Sequence, residues 1–346
     1  MRIVASRPGG ALVILLALGS IQSTCARPPA AERVYRLAEM NTDQIRALDR
    51  ERTVILVPGG IMEEHGPYLP SYSDGYQNER YTADLAAAIG RRPGWTAVVF
   101  PAIPLGVSGA NAVGGKFPFP GTYAVRPETL RAIFMDLGAD FGEQGFRWIL
   151  LMHLHGAPEH NRALDEAGEY FRDTYGGRMI NLTGLDTGSD PGVETMRAIA
   201  SKEALDEEGV GGHAGLLETS RVMAVRPDLV PSTVAQAPSV TARDLPAFFS
   251  LAARPEWPGY VGAPRYATPD LGRRIIEADT GWNVSIALRI LDGEADERKI
   301  ARAAALMQNP DVANALGAAM QRDAAMAKRQ QEWISARASK CGTRCR

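Results

Sequence analysis

A chain of 346 residues with a hydrophobic fraction of 45% can bury a substantial core, as one large domain or two small ones. Its formal net charge of −2, with 23% charged residues and no basic stripe interleaved with aromatics, gives no footing for a nucleic-acid partner. Three cysteines, one near the start and two at the extreme end, leave the middle of the chain without disulfides.

The N-terminus has the three-part layout of an export signal. Arg2 and Arg7 precede an apolar run at 11–19, and small or polar residues follow to Cys25 and Ala26. The run is too short to span a bilayer comfortably, so residues 1–26 are read as a signal for export to the periplasm or the medium. Two alternatives stand beside this reading. One is cleavage before Cys25 with lipid attachment there, although Gln22, Ser23 and Thr24 make a poor lipoprotein signal. The other is an uncleaved membrane anchor. In an oxidising compartment Cys341 and Cys345 can close a small C-terminal disulfide loop.

After a Pro/Ala-rich joint at 27–32, the segment 37–52 predicts a helix, and Val54, Ile55, Leu56 and Val57 predict a buried strand. Pro58, Gly59 and Gly60 end regular pairing there. Glu63, His65 and Asp74 follow within twelve residues. In an extended segment Glu63 and His65 share a face while Glu64 points away, and Gly66, Pro67 and Pro70 turn the chain so that Asp74 can return. Oxygen and imidazole donors on a loop beyond a parallel strand suit a hard or borderline divalent metal; the alternative is a solvated surface loop.

The rest of the chain alternates. A helix is predicted over 76–91, a strand over 95–100 and a long Gly/Pro-rich loop over 103–123. A helix opens at Pro127, and a strand at 146–152 delivers His153 and His155. A helix over 159–175 and a strand over 179–182 come next. This alternation predicts an α/β fold, with a mostly parallel sheet covered by helices on both faces. The polar stretch 186–212 yields no assignment. Thr268, Pro269 and Asp270 then start a helix running towards residue 291, and residues 295–339 read as one or two terminal helices. The organisation is an export signal at 1–26, a main domain at 33–293 and a helical extension at 294–346.

All five histidines, His65, His153, His155, His160 and His213, fall in three short stretches that carry turn residues. Gathered with Glu63, Asp74 and Glu218, they can supply a two-metal site with one bridging carboxylate, a device that holds and activates hydroxide near neutral pH. His160, at a helix start, reads as structural; His153 is left between a structural and a supporting role.

Five blocks, in order, resemble the creatininase (creatinine amidohydrolase) family. They are Glu63-x-His65-Gly66-Pro67-x-Leu69-Pro70 with Asp74; Phe119 to Thr122 with Pro127, Glu128 and Thr129; and Gly145, Phe146 and Arg147 leading to His155-Gly156. The fourth joins His213-Ala214-Gly215 to Glu218-Thr219-Ser220, and the fifth joins Gly262-Ala263-Pro264 to Ala267, Thr268, Gly272 and Arg273.

The resemblance implies a three-layer α/β/α fold, a homo-oligomer and a binuclear centre of zinc, manganese or iron. Glu63 and His155 would hold one ion, His65 and Glu218 the other, and Asp74 both. His213 would act as proton donor to the leaving nitrogen. The implied reaction is hydrolysis of an amide-type C–N bond in a cyclic amide, a formamide or a small peptide, by a metal-bridged hydroxide. Its rival is an exported metal- or ligand-binding protein without catalysis. The chain departs from the family's usual Asn-Gly-His-Gly-Gly-Asn with His153-Leu154-His155-Gly156-Ala157-Pro158. Ala157 stands where creatinine hydrolases place a Glu, which moves the expected last ligand to Glu218.

Overall fold

The computed structural model describes residues 32–188 and 190–342. The expected export signal, Cys25 and Cys345, and with Cys345 the expected disulfide, lie outside the described residues.

Five strands, β1 (Val34–Arg36), β2 (Thr53–Pro58), β3 (Thr96–Val99), β4 (Trp148–Met152) and β5 (Arg178–Asn181), form one sheet in the order β1-β3-β2-β4-β5. Every pairing in it is parallel, with Val54 beside Trp148 and Pro58 beside Met152 on the central pair. A separate two-stranded pair joins Leu185–Asp186 to Ala301–Arg302.

Strand period sorts the core into two faces. Val54 and Leu56 of β2 and Leu150 and Met152 of β4 pack with Leu85, Ile89, Ile276, Ile286 and Ile290. Ile55, Val57, Ile149 and Leu151 pack with Leu130, Phe134, Phe141, Leu164 and Phe171. The chain goes from β3 to β4 across β2, so the strand order reverses at β2 and a crevice opens beyond its carboxyl end.

The helices in chain order are α1 (Thr42–Arg46), α2 (Ser73–Gly90), α3 (Ala110–Val113), α4 (Pro127–Glu143), α5 (Pro158–Tyr175) and α6 (Pro191–Ile199). They continue with α7 (Lys202–Glu208), α8 (Leu216–Val225), α9 (Leu245–Ala252), α10 (Pro269–Leu291) and α11 (Pro310–Gly342). Helices α2 and α10 cover one sheet face, α4 and α5 the other, which is the three-layer α/β/α arrangement expected. No described helix is long and apolar enough to cross a membrane.

Several elements differ from expectation. The helix expected over 37–52 is a short 3-10 turn followed by five-residue α1, because the Asn41 side chain accepts from the Gln44 N–H and starts a new helix. Strand β1 at the sheet edge was not foreseen. Helix α2 begins at Ser73, where the Ser73 hydroxyl donates to the Pro70 carbonyl at 2.7 Å, so Asp74 lies in its first turn rather than on the loop. The unassigned stretch 186–212 holds α6 and α7, capped by Asp190 and Ser201.

Helix α11 runs for 33 residues. Val312, Leu316 and Ala319, at i, i+4 and i+7, are its buried stripe. The guanidinium of Arg322 lies 4.8 Å above the Phe117 ring, and Arg126 Nη2 donates to Gln330 Oε1 at 3.0 Å. These contacts tie α11 to the loop after β3 and to the start of α4.

Candidate metal centre

Two strand exits and one helix start deliver the site. Beyond β2, Gly59 leaves no room for a side chain: a Cβ there would lie 2.1 Å from His153 Nε2. The loop closes when the Glu63 N–H donates to the Ser71 carbonyl at 2.8 Å, which brings Asp74 at the start of α2 back beside Glu63 and His65. Asn78, one turn further along α2, ties both exits together. Its Nδ2 donates to the Gly59 carbonyl at 2.7 Å, and its Oδ1 accepts from the Leu154 N–H at 3.0 Å. Asn161 of α5 holds the next peptide, donating to the His155 carbonyl at 2.9 Å.

His155 Nδ1 stands 3.1 Å from Asp74 Oδ2 and 3.2 Å from Glu63 Oε2. His65 Nε2 stands 3.5 Å from Asp74 Oδ1 and 3.7 Å from Glu218 Oε2. Two groups of three donors result, Glu63–Asp74–His155 and His65–Asp74–Glu218, with the donor atoms of each within 4.8 Å of one another. A third group replaces Asp74 and Glu218 with Glu63 and His213 around His65. All six residues expected at the site therefore lie together.

The outer nitrogens decide whether metal ions suit this arrangement. His65 Nδ1 lies 3.1 Å from the Glu63 carbonyl, so its proton is donated there and Nε2 presents a lone pair. That Nε2 is buried and makes no hydrogen bond. His155 Nε2 lies 3.0 Å from the carbonyls of both Val107 and Ser108, so its proton is also outside and Nδ1 faces the carboxylates with a lone pair. An imidazole that donates its far N–H to a carbonyl and turns its lone pair onto carboxylate oxygens is arranged as a metal ligand. The residues present fit two cations sharing Asp74.

Electrostatics agree. Burial pushes Glu63, His65, Asp74, His155 and His213 towards neutrality, yet attraction among the site's charges prevails. Glu63 is held below its ordinary range by His155 and His213, and Asp74 well below by its hydrogen bond to His155 and the His65 imidazole beside it. Against burial, the neighbouring Asp74 and Glu218 carboxylates take His65 up to about 9. Glu63 and Glu64 take His213 up to about 10, and Glu63 and Asp74 take His155 well above its usual value. The buried carboxylates demand positive charge, which protons on these inner nitrogens supply and which divalent cations would supply in their place, freeing the lone pairs.

His213 Nε2 donates to the Glu64 carbonyl at 2.8 Å, and its Nδ1 faces Glu63 Oε1 at 3.7 Å. Its ring lies 4.6 Å from that of His65. Glu218, in the first turn of α8, accepts from the Ala214 N–H at 2.6 Å. Among the described residues two non-glycine residues adopt positive φ, Ser108 at 57° and Ala214 at 51°, and both adjoin the site. The carbonyl of Ser108 accepts from His155 and the N–H of Ala214 serves Glu218, so both strained peptides hold side chains of the two donor groups.

Behind the site the remaining histidines form a fixed chain. The Val107 N–H donates to His160 Nδ1, which leaves His160 Nε2 to donate to His153 Nδ1 at 3.1 Å, and His153 Nε2 donates to the Ile103 carbonyl at 3.0 Å. Both rings must be neutral for this order, and burial pushes both down, His153 to about 4. His160, read as structural, and His153, left undecided, thus fasten the loop after β3 to the exit of β4.

Glu208, in the unassigned stretch, escaped sequence reasoning. This buried carboxylate at the end of α7 accepts from the Leu216 N–H at 2.8 Å and the Ala263 N–H at 2.6 Å. It pins the segment carrying His213 and Glu218. Glycine at 262 makes room for it, since a Cβ there would lie 2.2 Å from the carboxylate.

The family profile for creatinine amidohydrolase matches residues 38–285. The chain belongs to the creatininase family. Creatinine amidohydrolase of Pseudomonas putida is 27% identical over 235 residues, covering 65% of this chain and 84% of that protein. The mycofactocin precursor peptide peptidase of Mycobacterium ulcerans (strain Agy99) is 27% identical over 260 residues, covering 70% and 88%. A crystal structure of creatinine amidohydrolase (creatininase) shares the fold at a TM-score of 0.56 and 21% identity, covering 74% of this chain and 96% of the other. A creatininase structure with Mn gives 0.55 at 21%, covering 74% and 97%. Family membership makes the chain one of a group of amidohydrolases, and helix α11 lies beyond the matched residues.

Proposed function

We propose that this protein is a metal-dependent amidohydrolase that hydrolyses an amide-type C–N bond in a cyclic amide, a formamide or a small peptide. The observation that carries this reading is the pair of inward-facing imidazole lone pairs, His65 Nε2 and His155 Nδ1, on opposite sides of Asp74. Glu63 and His155 would hold one ion, His65 and Glu218 the other, and Asp74 both. Two divalent cations, zinc, manganese or iron, supply Lewis-acid polarisation of the scissile carbonyl and acidify water.

The chain's own residues do the rest. Backbone carbonyls fix which nitrogen of each imidazole carries its proton, so the donors are preset before substrate enters. With Nε2–H anchored on the Glu64 carbonyl, His213 turns Nδ1 into the cavity and protonates the departing nitrogen there. Water contributes its hydroxyl to the carbonyl carbon and its proton, through the site, to the nitrogen. The two named relatives act on creatinine and on a precursor peptide, so family kinship supports both a small ring and a peptide end. Ala157, standing where creatinine hydrolases carry Glu, disfavours creatinine.

Export through residues 1–26 and assembly as a homo-oligomer belong to the same proposal. Mass spectrometry of the mature N-terminus and sedimentation test them. A mature chain that still begins at Met1, or a monomer at micromolar concentration, would remove the corresponding part.

Elemental analysis of the purified protein, beside an Asp74→Ala variant, tests the centre. About two equivalents of metal per chain, falling in the variant, together with hydrolysis of a cyclic amide, formamide or dipeptide, is the expected result. Folded protein holding no metal would overturn the reading. Metal without hydrolysis across that screen would leave a binding protein instead.

A further inference from the structure

The cavity above the centre has a volume of about 350 Å³, and its inner end is the ligand cluster. Its outer part is apolar. Val113 from α3, Phe248 and Phe249 from α9, Leu306 from the turn before α11, and Val312 and Leu316 from α11 line it. Among the described lining residues the charged side chains are those of the centre and Arg221. Arg221 already spends Nε and Nη2 on Asp279 Oδ2, at 3.0 and 2.8 Å. A charged substituent on the substrate would therefore find no free counter-ion in the outer cavity. At the mouth Leu306 and Leu245 remain 48% and 37% exposed, although large apolar side chains cost free energy in water.

We propose that the substrate is an amide carrying an uncharged apolar arm, alkyl or aromatic, and that Leu306, Val312 and Leu316 select it. This rests on the amidohydrolase reading and names the substrate class for the same site. The selecting residues lie outside the segment that matches the family, so this wall is separate from the matched ligand-bearing blocks. Helix α11 is held rigidly enough to act as a wall. Its buried stripe continues from Val312 and Leu316 to Ala319, and Arg322 and Gln330 anchor the helix further along.

Metal-loaded full-length protein would be assayed on acetamide, butanamide, hexanamide and phenylacetamide. Binding of acetamide and hexanamide would be titrated separately by calorimetry. The expected kcat/KM rises roughly fourfold per added methylene, the factor that burying one such group contributes. In Leu316→Ser and in Leu306→Ser, whose site at the rim tolerates a polar side chain, the hexanamide-to-acetamide ratio should fall about tenfold. A ratio near one in the wild type, or one unchanged in both variants, would overturn the proposal. If none of these linear amides is hydrolysed, the hydrolase reading is still decided by the cyclic amide, formamide and dipeptide screen, and calorimetry decides the pocket. Tighter binding of hexanamide than of acetamide, weakened by Leu306→Ser, would support it, and equal binding would refute it.

Discussion

Asp74 and His155 are 81 residues apart in sequence, and their side chains meet at 3.1 Å beneath the cavity. The contact joins the start of α2 to the exit of β4, and Asp74 reaches His65 from its other oxygen. One carboxylate thereby serves both donor groups. Asp74→Asn keeps the shape but removes the charge, so both ion sites should weaken together. Metal content should fall towards zero, and activity should drop by at least about 100-fold, the scale seen when even outer-shell partners of a metal ligand are lost. Elemental analysis and kinetics on one preparation would check this; a fully metallated variant would contradict the shared role.

The neutral pair His153 and His160 should leave a mark on acid stability. The ordinary value of His153 is 6.5, and burial takes it down to about 4 in the folded chain. Between these limits the unfolded chain binds a proton that the folded chain refuses. The stabilisation is therefore complete above pH 6.5 and declines as the pH falls towards 4, by about 3 kcal/mol at the lower end. His153→Gln removes that titration, and the difference between the two urea-midpoint curves over this window reads it. Parallel curves would mean that His153 is not held neutral.

Ser108 at φ 57° offers a backbone test. Glycine there should be tolerated, with a change of no more than about 0.5 kcal/mol, since relief of the left-handed strain is offset by added freedom in the unfolded chain. A β-branched residue should cost about 2 kcal/mol. Thermal unfolding of Ser108→Gly and Ser108→Val would show the contrast; equal stabilities would mean that the loop relaxes at little cost.

Glu208→Ala should destabilise the fold by about 2 kcal/mol, because the N–H groups of Leu216 and Ala263, which share Glu208 Oε2, lose their buried acceptor. The same change should lower turnover through displacement of the His213 and Glu218 segment while metal at Glu63 and His155 persists. Denaturant unfolding and metal stoichiometry separate the two effects.

The central strands were legible because each is a short run of apolar β-branched or leucine-like residues bounded by turn residues, as at Val54 to Val57 before Pro58. Strand β1 was not: it has three residues, and Tyr35 is 43% exposed, so no apolar run marks it. Helices α6 and α7 carry readable caps in Asp190 and Ser201, and the polar composition around them hid the pattern. At the site, residue types and the family blocks pointed to Glu63, His65, Asp74, His155, His213 and Glu218. Glu208 and Asn78 carry no local signal, because each acts through partners tens of residues away, Ala263 for one and Leu154 for the other. Such roles exist only once the chain has folded.

The outer protons of His65, His155 and His213 all rest on main-chain carbonyls: those of Glu63, of Val107 and Ser108, and of Glu64. No side-chain replacement can delete these acceptors; only a shift of the backbone can. The cavity wall, by contrast, is made of replaceable side chains, Val312 and Leu316 among them on a helix beyond the family's segment. The orientation of the reactive imidazoles is thus insulated from point mutation, while the choice of substrate is open to it. Divergence in this protein can retune what enters the cavity without disturbing how the imidazoles are oriented.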